Sequence, residues 1–311
     1  MNRKAGIIES IIMFFLLIVI GLGIYYIYEN IPRESVKLNA STIQEPIIEN
    51  NISSKQFYER MRYSDRVINY YISESCTQNK FDLMQEALDI LESKTILVFN
   101  LVSKENAVLN ILCLDLAPEE ENKNYFVAGE GGPSRVLNST LYSIILEGKI
   151  ALYRDGTCDN ANVAIHELLH ALGFDHNNNP KSVLYPTLKC DQKIDEEIIE
   201  SINKLYRVDS RPDLVFKEVN ATKRGKYLDF HMEVLNQGLK STDGVNVGLY
   251  ADDVFVESFD LKAISIGSKK IIDVANLKVP LKATRIRFEI DYEYVITEIY
   301  EDNNEIELNT F

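Results

Sequence analysis

The sequence predicts an α/β (α+β) domain followed by an all-β sandwich, the pair carried behind an N-terminal transmembrane helix. Three observations predict it. An uncharged apolar run, residues 11–28, stands near the start; strand-like and helix-like segments then alternate up to about residue 207; beyond residue 213 apolar residues recur at every second position. With 311 residues, 46% of them hydrophobic and 26% charged, the chain has the composition of a globular protein and room for two domains. Its formal net charge of −14 argues against nucleic acid as a partner, because gripping a polyanion takes clustered Lys and Arg.

Residues 1–10 include Arg3 and Lys4, and the run 11–28 would span about 27 Å as a helix, close to the thickness of a bilayer core. The positive-inside rule leaves residues 1–10 in the cytoplasm and everything after the helix outside. We read an uncleaved signal anchor; cleavage near Gly21–Gly23, which would give a secreted protein, is the alternative. Residues 29–52 are polar, contain Pro32 and Pro46, and read as an irregular stalk.

The next unit covers residues 53–207. "RVINYYI", 66–72, is β-branched and aromatic, as strands are, whereas "KFDLMQEALDILES", 80–93, spaces its apolar residues as a helix does. "TILVFNLV" and "AVLNILCLD" add two strands, and "LYSIILEGKIALY", 141–153, reads as a hairpin turning near Gly148. The glycine-rich "AGEGGP", 128–133, lacks the Lys and the strand-to-helix setting of a phosphate loop and reads as a flexible surface loop. A helix capped by Asp159 or Asn160 follows, and "DEEIIESINKLY", 195–206, is the last helix of the unit.

That penultimate helix carries the chemistry. "HELLHALGFDH", 166–176, holds three of the four histidines in the chain. His166 and His170 are four residues apart on a helix and can aim at one point, while Ile165, Leu168, Leu169 and Leu172 form an apolar stripe beside them. Gly173 can take a left-handed C′ conformation, turning the chain so that His176 returns toward the first two. Glu167 is offset around the helix, where it would meet a water better than the metal, which is the position of a general base.

These residues resemble the long zinc signature of the metzincin metalloproteases, H-E-x-x-H-x-x-G-x-x-H. The resemblance implies one zinc ion held by His166, His170 and His176, Glu167 as base, a twisted mixed sheet, and hydrolysis of peptide bonds in protein or peptide substrates. "SVLYP", 182–186, matches the methionine turn of the matrixin branch, with Leu184 in place of the methionine. That side chain serves as an apolar floor, so leucine is a tolerable substitute. Asn177 also departs from the serine usual in matrixins. An extended substrate is expected to pair with the 141–147 strand.

Cys76, Cys113, Cys158 and Cys190 are an even set in an exported chain, so disulfides are expected. Sequence does not choose among the three pairings; the working expectation joins Cys158 to Cys190, the two that flank the metal segment, and Cys76 to Cys113.

After the linker 208–212, residues 213–311 read as an immunoglobulin-like sandwich of some seven strands. In "YLDFHMEVLNQG", Leu228, Phe230, Met232 and Val234 point inward, and "RIRFEIDY" does the same with Ile286, Phe288 and Ile290. The "PDLVF" opening and the "EIYEDNNEIEL" close resemble the CARDB family of prokaryotic cell-surface modules, which implies a prokaryotic, archaeal-type envelope. His231 reads as an ordinary surface residue. The acidic "EDNNE" turn offers oxygen ligands that suit calcium, but an exposed turn is the preferred reading.

The function expected is therefore a membrane-anchored, extracellular zinc metalloendopeptidase. The alternative is a non-catalytic surface adhesin with a structural zinc site, which needs a fourth protein ligand. Cys190 or Asp175 would have to serve, and Glu167 would be left without a purpose.

Overall fold

The computed structural model describes residues 3–31, 33–40, 52–114, 127–153 and 160–309. Helix α1, Arg3–Asn30, contains a stretch, Glu9–Tyr28, that is long and apolar enough to cross a membrane. From Ile11 to Tyr28 its large apolar side chains are exposed.

Strand β1 follows at Ser35–Ala40. The first α/β unit then runs β2 (Met61–Tyr63), β3 (Val67–Ile72), α2 (Gln78–Lys94), β4 (Val98–Leu101), β5 (Leu109–Cys113), β6 (Gly129–Asn138), β7 (Ser143–Leu152), α3 (Asn162–Ala171) and α4 (Glu196–Tyr206). Thr77 caps α2 by accepting the Lys80 N–H, and Met84, Ala87, Leu88 and Leu91 bury one face of that helix, the periodicity expected of it. The sheet is mixed. Its path is β2-β7-β5-β3-β4, all parallel, with β6 antiparallel on the free side of β7.

Two expectations fail here. Residues 143–152 form no hairpin: β7 runs straight through Gly148, whose missing side chain leaves room for the Tyr63 hydroxyl. Residues 129–133 are no loop but the start of β6. Gly129 and Gly131 lie flush on α3, where a Cβ at Gly129 would stand 2.7 Å from Glu167 Cγ and one at Gly131 would overlap the Glu167 carbonyl. Pro133, which cannot donate to a ladder, is tolerated because β6 is an edge strand among the described residues.

The second unit contains β8 (Leu214–Arg224), β9 (Tyr227–Asn236), β10 (Asn246–Ala251), β11 (Val254–Asp260), β12 (Lys269–Lys278), β13 (Arg285–Ile290) and β14 (Glu305–Asn309). Burial in β9 alternates without a break, with Leu228, Phe230, Met232 and Val234 inward. An eighth strand joins the seven. Ser35–Leu38 of β1 pair with β8, and Asn39 and Ala40 pair with β14, so β1 links the two sheets and buries Leu38 in their core. The stalk expected over 29–52 is thus a strand of the sandwich at residues 35–40. Pro32 and Pro46 lie outside the described residues.

The two units share a contact. Leu141, Tyr142 and Ile144 pack with Leu239, flanked by Leu137, Val208, Ile266, Ile299 and Tyr300. Ser139 Oγ donates to the Gln237 carbonyl, 3.0 Å away. Behind this seam Arg62 is fully buried; its guanidinium donates to the carbonyls of Tyr63 (2.8 Å), Val208 (3.1 Å) and Leu205 and stacks on Tyr206. A buried cation is tolerable only when its donors are met in this way.

Candidate metal centre

Helix α3 begins without a side-chain cap: Ala161 occupies the cap position, while Asn160 Oδ1 accepts the Asn162 N–H at 3.1 Å. Asp159 lies outside the described residues. Ile165, Leu168, Leu169 and Leu172 are buried in the core, as the stripe predicts.

The helix ends in a Schellman turn. Gly173, at φ 94°, donates its N–H to His170 O (2.9 Å) and Phe174 N–H reaches Leu169 O (3.1 Å). A side chain at Gly173 would be strained by that φ and would strike Met61 as well. The turn serves the site directly, because the Phe174 carbonyl accepts from His170 Nδ1 at 2.7 Å. Val183 O does the same for His166 Nδ1 at 2.6 Å. Both rings therefore present a bare Nε2 lone pair to the centre.

The three Nε2 atoms of His166, His170 and His176 stand 3.0, 3.2 and 3.3 Å from one another. Three nitrogens bound tetrahedrally to zinc at the usual ~2.0–2.1 Å would lie about 3.3–3.4 Å apart, so the set fits that ion. Burial favours the neutral form of all three imidazoles: His166 is lowered to about 4, and His170 and His176 are lowered too, each by burial foremost.

Glu167 is buried between α3 and β6. Burial and then the Glu130 charge push its carboxyl up to about 8, against the lowering effect of a hydrogen bond from the Gly131 backbone. Glu130 in turn accepts from the Tyr153 hydroxyl at 2.7 Å. Leu184 is 1% exposed and joins the core that carries α3. Its carbonyl accepts the Asn177 N–H (3.0 Å), and the Asn177 side chain donates to Ser182 Oγ (2.8 Å) and Asp195 Oδ2 (3.0 Å). Asn177 thus ties the histidine loop to the Leu184 turn and to the start of α4.

Sequence reasoning missed Gly129, Gly131, Glu130, Tyr153 and Phe57, whose ring lies 5.7 Å from that of His170. The one usable signal was the spacing of two glycines at alternate positions, the mark of a strand face pressed flat against a neighbour. Both proposed fourth ligands are engaged elsewhere. Asp175 pairs with Lys55 at 2.6 Å and accepts the His176 N–H at 2.7 Å, and Cys190 is disulfide-bonded. Cys76 is joined to Cys113 as expected, and Cys158 lies outside the described residues. In the EDNNE turn, Asn303 and Asn304 aim their amides at Asp213 and Glu298.

A mixed sheet whose edge strand covers a glutamate beside three convergent imidazoles has the arrangement of a metzincin-like fold, with a histidine trio that could hold a metal ion. Within it, residues 62–207 are a matrixin domain, matching the family model described as Matrixin, and residues 211–308 are a CARDB domain by the same kind of match. A stretch of 48 residues is 46% identical to the macrophage metalloelastase of Rattus norvegicus; it makes up 14% of this chain and 10% of that protein, so the chain spans about a tenth of the length of this relative. Among solved structures, a CARDB domain from Pyrococcus furiosus in complex with di-metal ions is 17% identical, covering 32% of this chain and 88% of that one at a TM-score of 0.27. A domain from Methanosarcina acetivorans, solved by NMR, is 21% identical over 32% of this chain and 91% of that one, with the same TM-score of 0.27.

Proposed function

We propose that the chain is a membrane-anchored zinc endopeptidase whose working parts face the outside of the cell. The observation that carries the reading is the trio of Nε2 atoms within 3.0–3.3 Å of one another, with the buried Glu167 beside them. Zinc held by His166, His170 and His176 would supply a Lewis acid that polarises water and the scissile carbonyl. Glu167 takes the proton of the attacking water and returns it to the leaving amine. The Gly131 N–H orients that carboxylate, and the Val183 and Phe174 carbonyls fix the rings of His166 and His170.

An extended substrate would add to the open edge of β6 rather than to residues 141–147, because β7 is flanked by β2 and β5 on one side and β6 on the other. In this reading residues 1–10 are cytoplasmic, 11–28 cross the bilayer, 53–207 are the peptidase, 208–212 link, and 213–311 with β1 form the surface module. The adhesin alternative is disfavoured because Asp175 and Cys190 are committed elsewhere.

The test is hydrolysis of a generic protein substrate by the detergent-solubilised chain. Chelator should abolish it and zinc restore it, and Glu167→Gln should retain the metal while losing about 10²–10⁴-fold in rate. A fully active Glu167→Gln variant would overturn the mechanism.

A further inference from the structure

The strand registers bring one set of turns to one end of the sandwich. Ser35 lies opposite Arg224, Tyr227 opposite Lys278, Ala251 opposite both Ile286 and Val254, and Arg285 opposite Asn309. The turns at 225–226, 252–253 and 279–284 therefore share the end at which the chain arrives from α1. The link from Asn30 to Ser35 can reach no further than about 18 Å. The peptidase packs at the opposite end, against Gln237, Leu239 and Ile266.

Basic side chains outnumber acids at the α1 end. In a chain of net charge −14, the α1 end carries Arg33, Arg224, Lys278 and Lys282, all exposed, with Lys226 half-exposed. Of the acids there, Glu34 is exposed next to Arg33, Asp253 pairs with Arg285, and Asp252 accepts the backbone N–H groups of Thr284 and Arg285. The far end is mixed: the exposed acids Asp243, Asp260, Glu293, Glu301 and Asp302 lie among the exposed lysines Lys240, Lys262, Lys269 and Lys270, with Lys262 paired to Asp260 and Lys269 to Glu233. Beside the basic turns, Val254 and Phe255 are 62% and 48% exposed, two apolar side chains at the same tip.

We infer that this basic end of the sandwich docks on the anionic headgroups of the bilayer that α1 crosses. The inference rests on the anchored reading proposed above. Continuity of chain selects a lipid surface as the occupant: α1 ends within about 18 Å of the patch, so a membrane around α1 lies within its reach whatever else is present. The basic side chains meet lipid phosphates while Val254 and Phe255 enter the interfacial layer. The ten-residue β9 then holds the peptidase about 30 Å above the headgroups.

The experiment uses the full chain in lipid nanodiscs. Val254→Cys provides a labelling thiol, since no described cysteine is free. Energy transfer to headgroup-labelled lipid is compared between discs with about one-third phosphatidylglycerol and purely zwitterionic discs. At low salt we expect at least about twofold greater transfer in the anionic discs, collapsing at about 0.5 M salt, where screening is complete within a few Å. Combined Arg224→Glu, Lys278→Glu and Lys282→Glu should remove the difference while zinc content stays unchanged. Because the salt arm uses the unaltered basic end, misfolding of the triple variant does not decide the result. Transfer indifferent to lipid charge and to salt would overturn the docking, including the case in which the patch serves an acidic protein instead. Extraction of the chain from membranes by alkaline carbonate would refute the anchor and the docking with it; retention without charge dependence refutes the docking alone.

Discussion

Leu184 offers a quantitative test of how the metal centre is supported. The side chain is 1% exposed and packed in the same core as Leu168 and Leu172. Leu184→Ala removes three buried carbon groups, about 2.4 kcal/mol of transfer free energy, and leaves a cavity, so the loss should be about 3 kcal/mol or more. The neighbouring Val183 carbonyl fixes His166 at 2.6 Å, so loosening the turn should also weaken zinc binding by about 10–100-fold, the usual cost of losing a partner behind a ligand. Leu184→Met nearly conserves volume and should cost less than about 1.5 kcal/mol, with zinc affinity and hydrolysis close to the parent. Denaturant unfolding of the metal-free protein measures the first effect, and competition with a chromogenic zinc chelator measures the second. If Leu184→Ala stays within about 0.5 kcal/mol of the parent, the residue bears no packing load and the reasoning fails. If Leu184→Met converts an inert parent into an active enzyme, the view of a passive floor is wrong.

Gly131→Val must lift β6 off α3 and should lower kcat/KM by about 10²-fold through misplacement of Glu167, whereas Gly132→Ala, where a Cβ meets nothing within 4 Å, should be silent in the same peptidase assay. Glu298 is 3% exposed and raised to about 8 by burial foremost, so its contribution to stability is fully present below about 4.5 and is lost as pH climbs toward 8. Between those values it adds a slope of up to about 1.4 kcal/mol per pH unit, and subtracting the denaturant unfolding profile of Glu298→Gln from that of the parent should expose it; a flat difference refutes the assignment. Peptide mapping under non-reducing conditions should find Cys190 joined to Cys158, and any other partner for Cys190 overturns that pairing.

The centre was legible because its information is local. Two histidines four apart, a glycine at the C′ position and a third histidine just beyond fix the geometry within eleven residues, and the Schellman turn at Gly173 is the form that spacing requires. Alternation in β9 is equally local. What escaped depends on distant neighbours. In Gly129–Pro133 the glycines and proline argue against a strand, and only the pressure of Glu167 from another element explains why small residues are needed there. Gly148 resembles a turn until Tyr63 is seen to occupy the space of its side chain. In β1 a single inward residue, Leu38, sits among Ser35, Lys37 and Asn39, too little alternation to identify a strand.

The pairing of β1 with β8 and β14 also dictates an order of assembly. The partners of residues 35–40 are Ala221–Arg224 and Leu308–Asn309, so the strand made first in the sandwich has to wait for the last. As the chain is made, residues 62–207 emerge in between and can fold on their own core. Closing the sandwich then means joining segments roughly 180 and 270 residues apart, a slow, non-local step that leaves a nascent strand unpaired until β14 has been made. A ribosome stalled before residue 305 would hold a domain with His166, His170 and His176 already brought together, on a base that cannot yet close.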